Sequence, residues 1–229
     1  MRKIDILPIN WFGDRNAYSA SEVRIITVGL NPSDKEFREN NQSNFDSKLR
    51  FPAFDGSNKS LIEALNEYFE RKPYNWFQSF EHILEGLDAS YYANANRPNR
   101  VLHTDFCTPW ATDPTWSKLT KSEKKSLMDS GFQEWIELVK ELAPHIIIFS
   151  IPQEYVDMLR INNSITELTR FDEDKRGNKR KKPVIIRKGK YCNAIAIFGR
   201  TWNLPFGALG AEQKKDLGCL IKKEYDANK

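Results

Sequence analysis

Short, β-branched apolar runs alternate along this chain with stretches of helical period, and most of the runs are apolar on both faces. The runs are Val23–Gly29, Arg100–Cys107, His145–Ser150 and Asn193–Phe198. A strand with one wet face alternates apolar and polar residues, whereas a run that is apolar throughout must be covered on both sides. The intervening stretches supply the cover. Ser60–Phe69 places Leu61, Ile62, Leu65 and Phe69 on one helical face, and Trp76–Leu84 does the same with Phe77, Phe80 and Leu84. A weak helix starts at Ser122. A strong one spans Gly131–Leu142, with Phe132, Trp135, Ile136, Val139 and Leu142 inward and Pro144 closing it. A short helix follows at Gln153–Arg160, and a C-terminal helix runs from Ala211 to about Tyr225. The pattern predicts an α/β fold: a three-layer α/β/α sandwich around a central, mostly parallel four-stranded sheet.

Length and composition narrow the class. At 229 residues and 40% hydrophobic content the chain predicts a single domain over 1–229, with an irregular segment at 1–22, and excludes global disorder. No apolar run approaches the roughly 20 residues that span a bilayer. The opening MRKIDILPIN has no apolar core of a secretory signal. Three widely spaced cysteines, Cys107, Cys192 and Cys219, predict a reducing, cytoplasmic setting and no zinc cluster. Charge is concentrated. Residues 170–190 hold ten Lys/Arg against three acids, a net of +7; the whole chain is +4, so the remainder is −3. This basic segment reads as the tip of a β-ribbon spanning 165–190, with strands Ile165–Phe171 and Val184–Arg187. Such a ribbon is either a phosphate-contacting arm or a solvated loop.

In open parallel sheets the site lies beyond the carboxyl ends of the strands. Here those ends are Gly29–Ser33, Asp105–Trp110, Ser150–Pro152 and Gly199–Asn203. No Walker loop, GxGxxG, GxSxG or HExxH pattern is present, and the three histidines make no metal spacing with cysteine. The expectation is therefore no metal and no cofactor. What remains is a strand-end Asn-Pro, an aromatic loop over 34–58, a strand-end Asp, an aromatic loop with Trp110, Asp113, Pro114 and Trp116, to which the pattern assigns no role, and a late loop bearing Arg and Trp.

Val28-Gly29-Leu30-Asn31-Pro32-Ser33 resembles the first motif of the uracil-DNA glycosylase superfamily, closest to its Gly-x-Asn-Pro-Gly form. The order of later parts is similar. Phe51-Pro52-Ala53-Phe54 falls where the family stacks an aromatic on the flipped base, and Thr104-Asp105 falls where it places a base-reading Asn. Glu141-Leu142-Ala143-Pro144 precedes an apolar strand as the family's "L-x-P" does, and Gly199–Gly207 falls where a final motif and intercalating loop are found. The resemblance covers roughly residues 23–225. The chain departs from it at Ser33 (for Gly), at Asp105 (for Asn), and at Gly199–Phe206, which contains no His-Pro-Ser.

The resemblance implies a DNA glycosylase, monomeric and without cofactor, that hydrolyses the N-glycosidic bond of a damaged, deaminated or modified base in single- or double-stranded DNA. It implies that Asn31 positions the attacking water, with Asp34 an alternative base, and that Leu30, Pro32, Phe51, Phe54 and Asp105 form the base pocket. An Asn in that position can both donate and accept, which suits uracil; an ionised Asp only accepts, which suits an exocyclic amine. Arg200, Thr201, Trp202 and Asn203 would meet and wedge the DNA, and Lys179, Arg180, Lys181 and Lys182 would add salt-dependent phosphate contacts. Each residue also has a plain structural reading. Asn31 can merely start a turn, Asp34 can cap a helix, Phe51 and Phe54 can pack a lid, Asp105 can hold a loop, Trp202 can be core, and His103 reads as a packed core histidine. At the level of the whole chain, a non-catalytic nucleic-acid-binding protein of the same fold and a nucleoside or nucleotide hydrolase remain alternatives.

Overall fold

The computed structural model describes residues 2–3, 8–33, 51–52, 54–71, 73, 75–161, 165–199 and 204–229. In chain order its elements are β1 (Arg2–Lys3), α1 (Arg15–Ala20), β2 (Ile25–Gly29), α2 (Asn58–Asn66), α3 (Gln78–Gly86), β3 (Ala89–Ser90), β4 (Asn99–Asp105), β5 (Thr112–Asp113), α4 (Lys121–Leu142), β6 (Ile146–Phe149), α5 (Gln153–Asp157), β7 (Thr166–Glu173), β8 (Lys179–Tyr191), β9 (Ala194–Gly199) and α6 (Ala211–Ala227).

The expected four strands are β4-β2-β6-β9, adjacent and parallel, but they are the middle of a seven-stranded sheet ordered β3-β4-β2-β6-β9-β8-β7. The basic ribbon is therefore not an appendage. β8 pairs antiparallel with β9 from Tyr191↔Ala194 to Ile186↔Gly199, and β7 pairs antiparallel with β8. The physical reason is visible along β8. Val184 and Ile186 are buried and continue the core, while Lys179, Lys181 and Lys182 run past the last β9 partner into solvent. At the turn, the Asp174 carboxylate accepts from the backbone N–H of Arg176 and Asn178.

Strand alternation decides which helix covers which face. His103 packs against the rings of Phe77 and Phe80, at the start of α3. Thr104, its neighbour on β4, accepts a hydrogen bond from Trp135 Nε1 of α4 at 3.1 Å. The two helices therefore lie on opposite faces, and α6 packs beside α3. Ile146, Ile147 and Ile148 of β6 are fully buried between them, each contributing roughly 1.5–3 kcal/mol by area.

Two glycines explain features that helical period alone leaves open. α4 runs unbroken through Gly131 because a Cβ there would stand 2.3 Å from the Cys107 carbonyl oxygen, so only glycine lets the helix lie against the chain leaving β4. A Cβ on Gly218 of α6 would stand 2.0 Å from the Ile83 carbonyl oxygen of α3, and Gly86 faces Gly218 across the same crossing. Thr120 and Glu123 form a capping box that starts α4. Beyond two-residue β3, the edge of β4 is covered by the segment before α1: Phe12 exchanges both backbone hydrogen bonds with His103, and Ile9 N–H donates to the Pro109 carbonyl.

One buried cation bears on stability. Lys214 of α6 donates to the Ser79 carbonyl and hydroxyl at 3.1 and 2.5 Å, and burial lowers its pKa to about 8. The unfolded chain then holds more protons than the native state between pH about 8 and the ordinary lysine value, so stability rises with pH across that window. Denaturant titrations should show the native chain gaining stability from pH 8 to 10 relative to Lys214→Met. A parallel pH dependence in both would contradict burial as the cause.

Candidate functional site at the carboxyl ends of β2 and β4

The site is built from the last residues of two paired parallel strands. Gly29 of β2 is in register with Asp105 of β4. Two further rungs, Phe106 N–H to the Gly29 carbonyl and Cys107 N–H to the Leu30 carbonyl, both 2.9 Å, hold the exiting chains side by side. Asn31 follows directly. Pro32 has no N–H to continue a ladder, so the chain leaves the sheet there. Asn31 Nδ2 donates to the Pro32 carbonyl at 3.0 Å and to Thr112 Oγ1 at 3.3 Å. A carbonyl only accepts, so it is the amide nitrogen, and not Oδ1, that is turned toward Pro32 and the buried Thr112. Thr112 is fully buried on β5, in the aromatic stretch that had no assigned role. Its link to Asn31 is not legible in any sequence period.

Asp105 has a 3% exposed side chain. Its Oδ1 lies 3.6 Å from His103 Nε2, and its Oδ2 is buried without a hydrogen-bond partner. Among the described residues, only Trp11 Nε1 shares that condition. A buried acceptor left unpaired costs roughly 1–3 kcal/mol, more when charged, so such a group needs an explanation. Gly29 makes room for it: a Cβ there would stand 2.7 Å from Asp105 Oδ1 and 3.0 Å from His103 Nε2.

Behind the pair runs a buried polar chain. Tyr91 OH lies 2.5 Å from Thr27 Oγ1, which lies 2.8 Å from His103 Nδ1. His103 is packed among the rings of Phe12, Trp76, Phe77 and Phe80, as a core histidine would be, yet both ring nitrogens face polar atoms. Burial pushes the Tyr91 phenol well up; the hydrogen bond with Thr27 pulls it partly back, and nearby acids add smaller upward contributions. Burial, followed by the negative charge of Asp105, also raises the Cys107 thiol, which keeps it a thiol rather than a nucleophile.

The other sequence-predicted residues are placed as follows. Leu30 is half-buried against the core and Pro32 is buried. Phe51 is 1% exposed and packs toward Tyr68, itself in contact with Phe12 and Phe77. Phe54, linked to Phe51 by a backbone turn, is half-buried. Arg180 is turned inward, donating to the Glu173 and Ala208 carbonyls at 2.8 and 2.5 Å, whereas Lys179, Lys181 and Lys182 are exposed. Asp34, Arg200, Thr201, Trp202 and Asn203 lie outside the described residues.

A cleft of about 510 Å³ runs along α4, and Asp105, Asn10, Trp135, Glu134, Glu137 and Glu141 contribute to its wall. Lys140 and Arg15 offset Glu137 and Glu141 at 2.8 and 2.6 Å. The wall remains rich in carboxylates, which repel phosphate. Among the described residues no group of three or more His, Cys, Asp or Glu is arranged to hold a metal ion, and no helix is long and apolar enough to cross a membrane. No protein-family model, curated protein or solved structure matches this chain.

Proposed function

We propose that this chain is a DNA glycosylase-like protein that flips a base into the end of the sheet and hydrolyses its N-glycosidic bond. The observation that carries the reading is the juxtaposition of Asn31 and Asp105 at the carboxyl ends of register-paired parallel strands, with Asp105 holding a buried, unpartnered acceptor. The inward-turned Asn31 amide supports it, because Oδ1 is the atom that would orient a water. In this reading the leaving base is held by Asp105 Oδ2 through an exocyclic amine, so amino-bearing or modified bases are favoured over uracil. Stacking falls to Phe54 rather than the fully buried Phe51. Helices on opposite faces of β4 support a three-layer α/β/α arrangement, and the protein acts as a cytoplasmic monomer without metal or cofactor.

An amide is a weak base, so the reaction would depend on stabilising the departing base and would be slow. Oligonucleotides carrying uracil, hypoxanthine and modified cytosines, single-stranded and duplex, test it by release of free base. Release from at least one is expected. No release from any, with oligonucleotide binding intact, would leave the second reading, a non-catalytic nucleic-acid binder, which the exposed lysines of β8 favour independently.

Those lysines give a separate expectation. Replacing Lys179, Lys181 and Lys182 together by alanine should weaken oligonucleotide binding uniformly across sequences. It should lower the slope of log K against log salt by about 2–3, near one per lost phosphate contact. An unchanged slope would remove β8 from the interface. Arg180 is left out of that set because it ties β8 to backbone carbonyls.

A further inference from the structure

Resting on that reading, we infer that His103 is a positioning residue, held by Tyr91 and Thr27 as a single tautomer whose Nε2–H faces Asp105 and leaves Oδ2 as the acceptor for a ligand N–H. The order of donors follows from counting hydrogens. Tyr91 is buried and keeps its phenolic proton, and among the described residues its hydroxyl has one hydrogen-bond partner, Thr27 Oγ1. Tyr91 therefore donates to Thr27. The threonine hydroxyl has one proton, and its other partner is His103 Nδ1, so Thr27 donates there. Nδ1 is then the bare nitrogen and Nε2 carries the hydrogen. That N–H faces Asp105 Oδ1 at 3.6 Å, longer than a hydrogen bond; such contacts at sites of chemistry are often long until the ligand is bound.

The chain crosses the sheet's paired strands: Thr27 and His103 are register partners on β2 and β4, and Asp105 lies two residues on, on the same face as His103. The aromatic rings around His103 exclude water from the relay. A simple packing role would be met by any flat side chain; this arrangement turns the histidine N–H toward Oδ1 of Asp105 and leaves the buried Oδ2 as its unpartnered oxygen. The ligand class it selects is a base presenting an exocyclic amine; the ring N–H of uracil lies between two carbonyl acceptors, which a carboxylate repels.

Long-range ¹H–¹⁵N correlation spectra of the ¹⁵N-labelled full chain show directly which ring nitrogen is protonated, with His103→Gln assigning the signal. The expected spectrum has Nε2 protonated and Nδ1 bare. Thr27→Val, close in shape but without a donor, should move His103 toward the other tautomer, and Thr27→Ser should keep the native one. An Nδ1-protonated ring in the native chain, or an unchanged spectrum in Thr27→Val, overturns the relay. In parallel, the native chain should bind an oligonucleotide with an amino-bearing base more tightly than its uracil counterpart. Thr27→Val should lose about tenfold of that preference, the low end of what one positioned contact contributes. A native chain with no preference overturns the base-reading function itself. Preference retained in Thr27→Val overturns only the positioning role.

Discussion

Replacing Asn31 by alanine is expected to cut base release by about 10²–10³-fold while leaving oligonucleotide affinity within a few-fold, because a positioned water matters mainly in the transition state. The substitution also removes the Nδ2 hydrogen bonds to Pro32 and Thr112. Each contributes about 1 kcal/mol to stability. The backbone rungs from Phe106 and Cys107 remain, so the turn should persist and Tm should fall by roughly 4–8 °C. A loss of release matched by an equal loss of binding would place Asn31 in general binding rather than in the chemistry. Unchanged release would remove it from the reaction.

The largest stability effect is expected at Gly218. Glycine to alanine within an exposed helix ordinarily stabilises by about 1 kcal/mol. Here the sign should reverse. A Cβ at Gly218 would stand 2.0 Å from the Ile83 carbonyl oxygen and 2.9 Å from the Gly86 Cα, both backbone atoms that cannot rotate away. Gly218→Ala should force α3 and α6 apart and cost about 3 kcal/mol, in the upper range for overpacking. For a domain of this size that lowers Tm by roughly 6–12 °C. Because the first turn of α3 lies against His103, the site should loosen with it. A rise in Tm would mean that the two helices do not cross at these glycines.

The strands that show in the sequence are those buried along all or nearly all of their length. β2, β6 and β9 read directly from their β-branched runs, as does β4 through Val101 and Leu102. What the period hides is structure decided by distant partners. β3 is two residues long and exists only because β4 offers an edge at Asn99 and Arg100. β8 reads as part of a separate ribbon because its basic half carries no apolar period, while Val184 and Ile186 bind it into the sheet. The break expected before Gly131 is absent because the glycine answers a close backbone approach, not a helix end.

The site was legible in part for the same reason. Asn31 and Asp105 sit at strand ends, where chain order alone places them. Nothing in a one-dimensional pattern links Thr27, Tyr91, His103 and Asp105, which come together only through parallel register. Phe51 and Phe54 are three residues apart and equally aromatic, yet one closes the core and the other stays half-open.

The central claim is that Asn31 and Asp105 act on one flipped base. A crystal structure with an oligonucleotide carrying a 2′-fluoro nucleotide, which resists glycosidic cleavage, and an amino-bearing base would test it most directly. The expected result is the exocyclic amine within hydrogen-bond distance of Asp105 Oδ2, with a water between Asn31 Oδ1 and the anomeric carbon. A base that stays stacked, or that lies in the acidic cleft along α4 away from Asn31, would contradict it.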